Sequence, residues 1–202
     1  MNSRFASLLS ALLLSMTASI SSAASAKLES LVVGGGCFWC TEAVFEQVQG
    51  VQAVESGYCN GHFPAPTYEQ VCTGQTGHVE VVQVTFDDEL IPLRDILAIF
   101  FATHDPTTLN RQGHDVGPQY RSGIYISEPS QEAIARAVLQ EAQQAFGGRV
   151  VTELLPVKDY SRAEAYHQRY YAQHPHQGYC AAVITPKVDK FRRVFAARLK
   201  PA

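Results

Sequence analysis

The chain has 202 residues, of which 46% are hydrophobic and 17% are charged, so it is long enough for one globular domain with a sizeable core. Its formal net charge of -3 and the lack of any Lys/Arg run argue against a surface that binds nucleic acid. No sequence repeat or low-complexity linker follows the N-terminal segment, which favours a single domain.

The N-terminal segment has the pattern of an export signal. Arg4 precedes an apolar stretch at residues 5–20, and small residues follow at 21–26. The apolar stretch is too short and too rich in serine to be a typical membrane span. We therefore predict a signal peptide cleaved near Ala26 and a catalytic domain at residues 27–202. An uncleaved anchor is the alternative, and both place the protein outside the cytoplasm, most simply in a periplasm.

All five cysteines lie in the predicted mature chain. They are Cys37, Cys40, Cys59, Cys72 and Cys180. An odd number in an exported chain cannot all pair within the chain, so at least one thiol is free or cycles between redox states. The cysteine content is too low for a small fold held together by disulfides.

Hydrophobic periodicity predicts the elements of the first half. They are a buried strand at Leu31–Val33, a helix from about Cys37 that stops at Gly50, an extended segment at Val51–Tyr58, a strand at Val79–Phe86, and a helix that Pro92 opens and that ends before Asp105. Glycines at 34–36 allow a tight turn between the first strand and the first helix. Glu80 shares strand parity with Val82, Val84 and Phe86, so it is predicted to point at the packed side.

The second half begins with a long polar loop at 104–122. Strand Gly123–Ile126, a helix from about Pro129 to Phe146, strand Val150–Leu155, and a helix from a Ser161/Glu164 capping box to about Gln173 are predicted after it. Because strands and helices are mixed without strict alternation, we predict an α+β fold.

The segment GCFWC at 36–40 carries the strongest chemical signal. Cys37 stands where the glycine turn meets a helix start, a position at which amides and the helix dipole lower the pKa of a thiol. Cys40 lies one helical turn further on, the spacing of a reversible disulfide. The alternatives are a zinc half-site and a buried structural pair, but no second Cys-x-x-Cys or matching His pair exists. Haem attachment requires His where Thr41 stands. Redox chemistry is therefore favoured.

Three further side chains have plausible roles beside these thiols. Phe38 and Trp39 are either core residues or the walls of an apolar box for a methyl-thioether group, with favourable sulfur–aromatic contacts. If Glu80 is desolvated on the packed side, its pKa is raised and it is suited to act as a general acid. The alternative is that Glu80 is a strand-end glutamate that turns to solvent.

The loop at 104–122 is long for a compact domain, which is typical of functional loops. His104, His114 and Asp115 are conceivable metal ligands, but their spacing is not diagnostic. We therefore interpret the histidines as solvated loop residues.

Several separated motifs resemble one known family. They are GCFW at 36–39, PTY at 66–68, VC at 71–72 with TGHVE at 76–80, the loop at 110–122, and YHQ at 166–168. In this order, across about residues 31–190, they strongly resemble the A class of peptide methionine sulfoxide reductases. The resemblance implies a two-layer α+β sandwich with a mixed central sheet and a ferredoxin-like core. It also implies no metal, no bound cofactor and a preference for the S epimer of the sulfoxide.

The resemblance also implies roles for individual residues. Cys37 is the nucleophile, Phe38 and Trp39 wall the methyl pocket, Glu80 is the acid, Tyr68 and Tyr120 are hydrogen-bonding tyrosines, and Asp115 shapes the site. Attack on the sulfoxide sulfur leaves a sulfenic acid, with which a second thiol condenses. A thioredoxin-like dithiol reductant then restores the enzyme. The implied substrates are oxidised proteins or peptides that contain methionine sulfoxide, and we expect a monomer.

The sequence departs from the commonest family pattern at its cysteines. Cys40 stands where many members have Gly, and Cys180 matches a C-terminal cysteine that other members use as resolver. Both are present, so the relay order is open; we predict that Cys40 reacts first. Cys59 replaces a usually small residue and has no assigned role. Cys72 is interpreted as a buried structural residue.

Two rival functions remain. A general thiol–disulfide oxidoreductase shares the Cys-x-x-Cys logic but leaves Glu80, Tyr68 and Tyr120 unexplained. A non-enzymatic metal-binding module using cysteines and loop histidines is the second. An insulin-reduction assay run beside a methionine sulfoxide assay tests the oxidoreductase alternative. Metal analysis of the purified protein tests the metal-binding alternative.

Overall fold

A computed structural model describes residues 27–201, so the predicted signal peptide lies outside the described residues. The strands are β1 Leu28–Gly35, β2 Val51–Cys59, β3 Val79–Asp87, β4 Arg111–Gln112, β5 Asp115–Val116, β6 Ser122–Ile126, β7 Glu153–Pro156 and β8 Ser161–Arg162. The helices are α1 Phe38–Phe45, α2 Tyr68–Cys72, α3 Leu93–Thr103, α4 Glu132–Ala145, α5 Tyr170–Gln173 and α6 Thr185–Val194. No helix in this part of the chain is long and apolar enough to cross a membrane.

Six strands form the main sheet, in the order β7-β6-β1-β3-β2-β8, and β4 pairs with β5 in a separate hairpin. β6 and β7 are parallel, whereas the other neighbours in the main sheet are antiparallel. With the short α2 and the β4–β5 hairpin set aside, the chain forms a βαββαβ unit from β1, α1, β2, β3, α3 and β6. The four strands of this unit lie in the order β6-β1-β3-β2. This arrangement is the ferredoxin-like one, so the predicted α+β class and core are confirmed.

The two faces of the sheet bury different residues. One face contributes Leu31, Val33, Val82, Val84 and Phe86 to the main core, under α1 and α3. The other face holds a smaller cluster that contains Val32, Cys59, Val79, Val81 and Tyr125. The predicted parity of β3 is confirmed, because Glu80 is buried with the main core face while Gln83 and Thr85 are half-buried.

The turn between β1 and α1 depends on glycine. Gly36 has φ of +94°, in the region that glycine adopts without strain. A Cβ atom at Gly34 would lie 2.9 Å from Val79 Cγ1 and 3.2 Å from the Glu80 carbonyl oxygen. The absence of a side chain at this position lets β1 approach the start of β3. The end of β1 and the start of β3 therefore lie side by side at one end of the two central strands.

The predicted strand at Val150–Leu155 starts too early. Gln143 on α4 accepts from the Val150 amide and donates to the Val150 carbonyl, and the Val151 amide donates to the Pro106 carbonyl. These bonds hold the segment against the helix and the neighbouring loop, so pairing with β6 begins only at Glu153.

The predicted helix from Ser161 to Gln173 is wrong. Ser161 lies in β8 and pairs with Tyr58 of β2. Glu164 does not cap a helix, because it accepts hydrogen bonds from the Tyr58 hydroxyl and the Tyr68 amide. Arg169 has φ of +54°, which interrupts helical continuation. Only a short 3₁₀ turn at Ala165–His167 and α5 are helical here.

Candidate active site

Cys37 lies at the junction of β1 and α1, as predicted. It is the N-cap residue of α1, yet its side chain makes no capping hydrogen bond. The first helical amide, that of Phe38, donates instead to Glu80 Oε2 at 3.1 Å. The nucleophile candidate and the acid candidate are therefore held beside each other by neighbouring backbone.

The prediction that the helix start lowers the pKa of Cys37 is wrong for this resting site. Burial is the main reason, since it raises the pKa of the Cys37 thiol well above its ordinary value, and the neighbouring Cys40 and Glu80 raise it further. The first helix amide is also bonded to Glu80 and is not free to stabilise a Cys37 thiolate. In contrast, the neighbouring Cys37 lowers the pKa of Cys40 to about 7.

Glu80 meets the conditions for an acid that is protonated near neutral pH. Its side chain is 1% exposed. Burial raises its pKa to about 8, against the opposing effect of the Phe38 amide. The alternative that Glu80 turns to solvent is therefore excluded by its position.

Tyr68 and Tyr120 flank Glu80 from two different segments. Tyr68 begins α2, where the Thr67 N-cap and the bond from its amide to Glu164 fix its position. Tyr120 ends a 3₁₀ turn, Pro118–Tyr120, that follows the β4–β5 hairpin. Burial, with a contribution from Glu80, raises the pKa of each phenol, so both stay protonated.

An aromatic cluster adjoins the thiols. Trp39 stacks on Tyr170 with ring centroids 3.8 Å apart and planes 6° from parallel, and its indole N–H donates to His167 Nδ1 at 3.1 Å. This bond assigns the remaining proton of a neutral His167 to Nε2. Phe38 is fully buried against Tyr58 and His167, whereas Trp39 is half-buried. Trp39 is thus the more accessible of the two predicted pocket walls.

Asp115 is placed at the site through Tyr179. The Tyr179 hydroxyl donates to Asp115 Oδ2 at 2.7 Å and lies 3.9 Å from Cys40 Sγ. Its ring also packs edge-on against Trp39, with centroids 6.0 Å apart. The loop aspartate therefore reaches the thiols indirectly, by way of a tyrosine on the C-terminal segment.

The five cysteines occupy distinct environments, and no two of them are joined by a disulfide. Cys180 is buried in a π-helical turn at Cys180–Ile184, which continues into α6. Burial raises its pKa, and the nearby Cys40 raises it further. Cys59 is buried in the small cluster on the opposite face of the sheet from Cys37. The interpretation of Cys72 as buried is wrong, since it is exposed at the end of α2, beside Tyr68.

The loop histidines do not form a metal site with their neighbours. Within residues 27–201, no group of three or more His, Cys, Asp or Glu side chains is arranged to hold a metal. His104 is not a solvated residue as predicted, because its Nδ1 bonds to the Phe100 carbonyl and its Nε2 to Ser122 Oγ, each at 2.7 Å. His114 is exposed.

Comparison with known proteins identifies the family. A family model described as peptide methionine sulfoxide reductase matches residues 29–199. The chain belongs to the peptide methionine sulfoxide reductase family. Peptide methionine sulfoxide reductase MsrA of Ralstonia nicotianae is 56% identical to it over 179 residues, which cover 86% of this chain and 94% of that protein. The protein is accordingly an oxidoreductase that reduces methionine sulfoxide.

Solved structures of the family have the same fold. Methionine sulfoxide reductase A of Corynebacterium diphtheriae is 36% identical with a TM-score of 0.71, over 77% of this chain and 78% of that one. Reduced Mxr1 from Saccharomyces cerevisiae is 33% identical with a TM-score of 0.70, over 76% and 89% of the two chains. Mxr1 has also been solved in complex with Trx2.

Sequence reasoning missed four residues of this reductase site. His167, Tyr170 and Tyr179 extend the aromatic cluster around Trp39, and Glu164 anchors Tyr58 and Tyr68. The YHQ motif at 166–168 and the tyrosine before Cys180 were the available signals. Spacing along the chain does not reveal that these segments return to α1.

Proposed function

We propose that Cys37 performs the reduction of methionine sulfoxide in this reductase. The Cys37 sulfur attacks the sulfoxide sulfur while Glu80 protonates the sulfoxide oxygen. The oxygen is transferred to Cys37 as a sulfenic acid, two electrons pass to the substrate sulfur, and methionine is released. The proton that the Cys37 thiol loses restores the Glu80 carboxyl, so protons balance over the step.

The observation that carries this proposal is the buried Glu80 carboxyl, bonded to the amide directly after Cys37. With its pKa raised to about 8, Glu80 keeps a transferable proton at neutral pH. The protonated Tyr68 and Tyr120 are suited to hydrogen-bond the sulfoxide oxygen as charge develops on it. Asp115 supports the opposite side of the site through Tyr179.

The substrate methyl group is proposed to contact Phe38 and Trp39. Trp39 is held on two sides, by its stacking on Tyr170 and by its bond to His167, so it presents a fixed apolar surface. Thioether and methyl groups make favourable contacts with such rings. The family resemblance adds a preference for the S epimer, in protein-bound and free methionine sulfoxide.

Resolution of the sulfenic acid is proposed to run through Cys40 and then Cys180. Cys37 and Cys40 lie one turn apart at the start of α1, where the Cys40 amide donates to the Cys37 carbonyl at 3.1 Å, so closing the first disulfide costs little entropy. Cys180 lies near Cys40 on the C-terminal segment and is suited to take over the disulfide by thiol exchange.

An external thioredoxin-like dithiol is proposed to reduce the final disulfide, with no bound cofactor. The complex of the yeast relative Mxr1 with Trx2 supports this choice of reductant. Oxidised proteins or peptides are the proposed substrates, and the chain is proposed to act as a monomer, without nucleic acid. From its N-terminal pattern we infer an exported, periplasmic enzyme that repairs oxidised proteins.

Turnover of the two epimers tests the proposed function. The purified protein with thioredoxin and thioredoxin reductase is expected to consume methionine-S-sulfoxide and to leave the R epimer, while Cys37→Ser is inactive. Insulin reduction is the matched assay for a general thiol–disulfide oxidoreductase. Activity on insulin without methionine formation, or full activity of Cys37→Ser, would refute the proposal.

A further inference from the structure

Lys187 shares a small cavity with Cys40. The cavity has room for at most about one water molecule. It is lined by Cys40, Thr41 and Val44 from α1, by Gly35, by Phe100 and Thr103 from α3, and by His104 and Lys187. Cys40 is 3% exposed, so this cavity forms part of an enclosed environment around its sulfur.

Lys187 lies on α6 and lines this cavity from that helix. Val188 and Phe191 on α6 are fully buried in the main core, and α6 packs directly against α1. Lys187 is half-buried and precedes Val188 directly. Among residues 27–201, no carboxylate forms a salt bridge with Lys187, so its ammonium charge is not neutralised by an ion pair there.

Lys187 is the cation that acts on Cys40. The titratable groups around Cys40 are Cys37 on α1, Glu80 on β3, His104 after α3, Tyr179 and Cys180 on the C-terminal segment, and Lys187 on α6. Burial lowers the pKa of His104 to about 4, so this imidazole is neutral. The neighbouring Cys37 lowers the pKa of Cys40 most, burial opposes this effect, and the charge of Lys187 across the shared cavity lowers the pKa further.

We propose that Lys187 is a positioning residue for the resolving step, whose ammonium group holds Cys40 as a thiolate ready to attack the sulfenic acid on Cys37. This inference rests on the proposed function of the Cys37–Cys40 pair. The thiolate is the reactive form in sulfur substitution, so the charge of Lys187 accelerates disulfide formation. It does not contribute to the attack of Cys37 on the sulfoxide.

The resolving step forms one S–S bond and breaks one S–O bond. The Cys40 sulfur attacks the Cys37 sulfur, and the S–O bond of the sulfenic acid on Cys37 breaks. Hydroxide leaves and combines with the proton that Cys40 has released, giving water. The Cys40 sulfur is oxidised and the Cys37 sulfur is reduced, so no other oxidant is required. Lys187 takes no part in this proton balance.

Rapid-quench measurement of one turnover without reductant separates the two steps. Methionine release reports the attack of Cys37, and mass mapping of the Cys37–Cys40 disulfide reports resolution. Lys187→Met is expected to slow disulfide formation roughly tenfold near neutral pH, because a smaller fraction of Cys40 is then ionised, and to leave methionine release unchanged. Lys187→Arg keeps the charge and is expected to restore much of the rate. Lys190→Met, on the exposed side of the same helix, is the matched control.

The pH profile distinguishes charge from packing. In Lys187→Met, the rate of disulfide formation is expected to reach its plateau at higher pH than in the wild type, because more base is needed to ionise Cys40. If Lys187→Met does not fold, Lys187→Gln also removes the charge, and its rate of Cys40 alkylation against pH, compared with that of the wild type, gives the same comparison. Equal slowing of both steps in Lys187→Met, or an unshifted pH profile, would overturn the role of Lys187. Absence of a methionine burst in the wild type would instead refute the proposed function itself.

Discussion

The Phe38 amide donates to Glu80 Oε2 at 3.1 Å, and this bond ties the start of α1 to the buried carboxyl. It uses the helix amide nearest to Cys37, so that amide does not stabilise a Cys37 thiolate. It also only partly offsets the burial of Glu80, whose pKa stays raised at about 8. Cys37 and Glu80 therefore both carry protons near neutral pH, as the proposed mechanism requires of the acid.

Glu80→Gln is expected to retain the fold and to slow methionine release roughly 10²-fold or more, the usual contribution of a positioned general acid. The loss should be largest near neutral pH, where water is a poor proton donor. The wild-type rate should fall as pH rises through about 8, because Glu80 loses its proton there, and the variant should lack this fall. Single-turnover methionine release between pH 6 and 10 measures both effects.

Glu42→Gln is the matched control, since it also neutralises a buried glutamate on the main core side. It is expected to keep methionine release within about twofold of the wild type, as for a substitution outside the reacting groups. A Glu80→Gln enzyme that works at near wild-type rate across the pH range would mean that Glu80 is not the acid. Tyr68 or Tyr120 would then be the next candidate.

Glu42 itself is expected to make stability depend on pH. It is 1% exposed, and neither carboxyl oxygen has a hydrogen-bond partner in the described part of the chain. Burial raises its pKa from 4.5 to about 7. Between these values the unfolded chain loses the proton while the folded one keeps it, so the free energy of unfolding falls as pH rises. Glu42→Gln should remove this loss, a gain on the order of 1–3 kcal/mol at pH 8 and little at pH 4.5.

Urea unfolding of both proteins at pH 4.5 and pH 8 measures the gain from Glu42→Gln. Glu89→Gln, which changes an exposed glutamate, is the control and should shift neither value. An equal difference between Glu42→Gln and the wild type at the two pH values would show that the carboxyl of Glu42 does not titrate in this range.

The fold was largely predictable because local patterns and long-range packing agree. The parity of β3, the glycine turn before α1 and the Pro92 start of α3 each combine a local signal with burial. The failure at Ser161–Gln173 has the opposite cause. Glu164 is drawn away from the local capping pattern by the Tyr58 hydroxyl and the Tyr68 amide, which are distant in sequence. A capping box cannot reveal such a competing partner.

The candidate site was predicted in part for the same reason. The motifs point to Cys37 and Glu80, and β3 and α1 bring these two residues together. Tyr179 and Lys187 reach the thiols only because the C-terminal segment packs across α1, which no spacing rule predicts. The prediction for the Cys37 pKa was wrong because spacing along the chain shows neither how deeply the thiol is buried nor that Glu80 takes the helix amide.

The mature chain is expected to begin at about Lys27. The apolar stretch and the small residues at 21–26 are the features that a signal peptidase recognises. N-terminal sequencing of protein from the exported fraction is the measurement. A chain that still starts at Met1 and is extracted only with membranes would favour the uncleaved anchor.

Cys40 is expected to form the first disulfide with Cys37. The Cys40 amide donates to the Cys37 carbonyl at 3.1 Å within one turn, and closing so short a loop costs little entropy. Cys180 is fully buried, its amide is bonded to the Gln177 side chain, and Thr185 donates to its carbonyl. We therefore expect a bridge to Cys180 to form more slowly than the bridge to Cys40.

Two serine variants, quenched after one turnover without reductant, separate the cysteines. Cys180→Ser should still release one methionine per enzyme and form Cys37–Cys40, losing mainly the later exchange with reductant. Cys40→Ser should accumulate the sulfenic acid or a slower Cys37–Cys180 bridge, because the nearest thiolate is gone. Cys59→Ser, on the opposite face of the sheet, is the control and should behave as the wild type. Mass mapping of the quenched wild-type enzyme gives the order directly. If only the Cys37–Cys180 bridge is present at the earliest time and Cys40 is still reduced, the predicted order is wrong and Cys40 lies outside the relay.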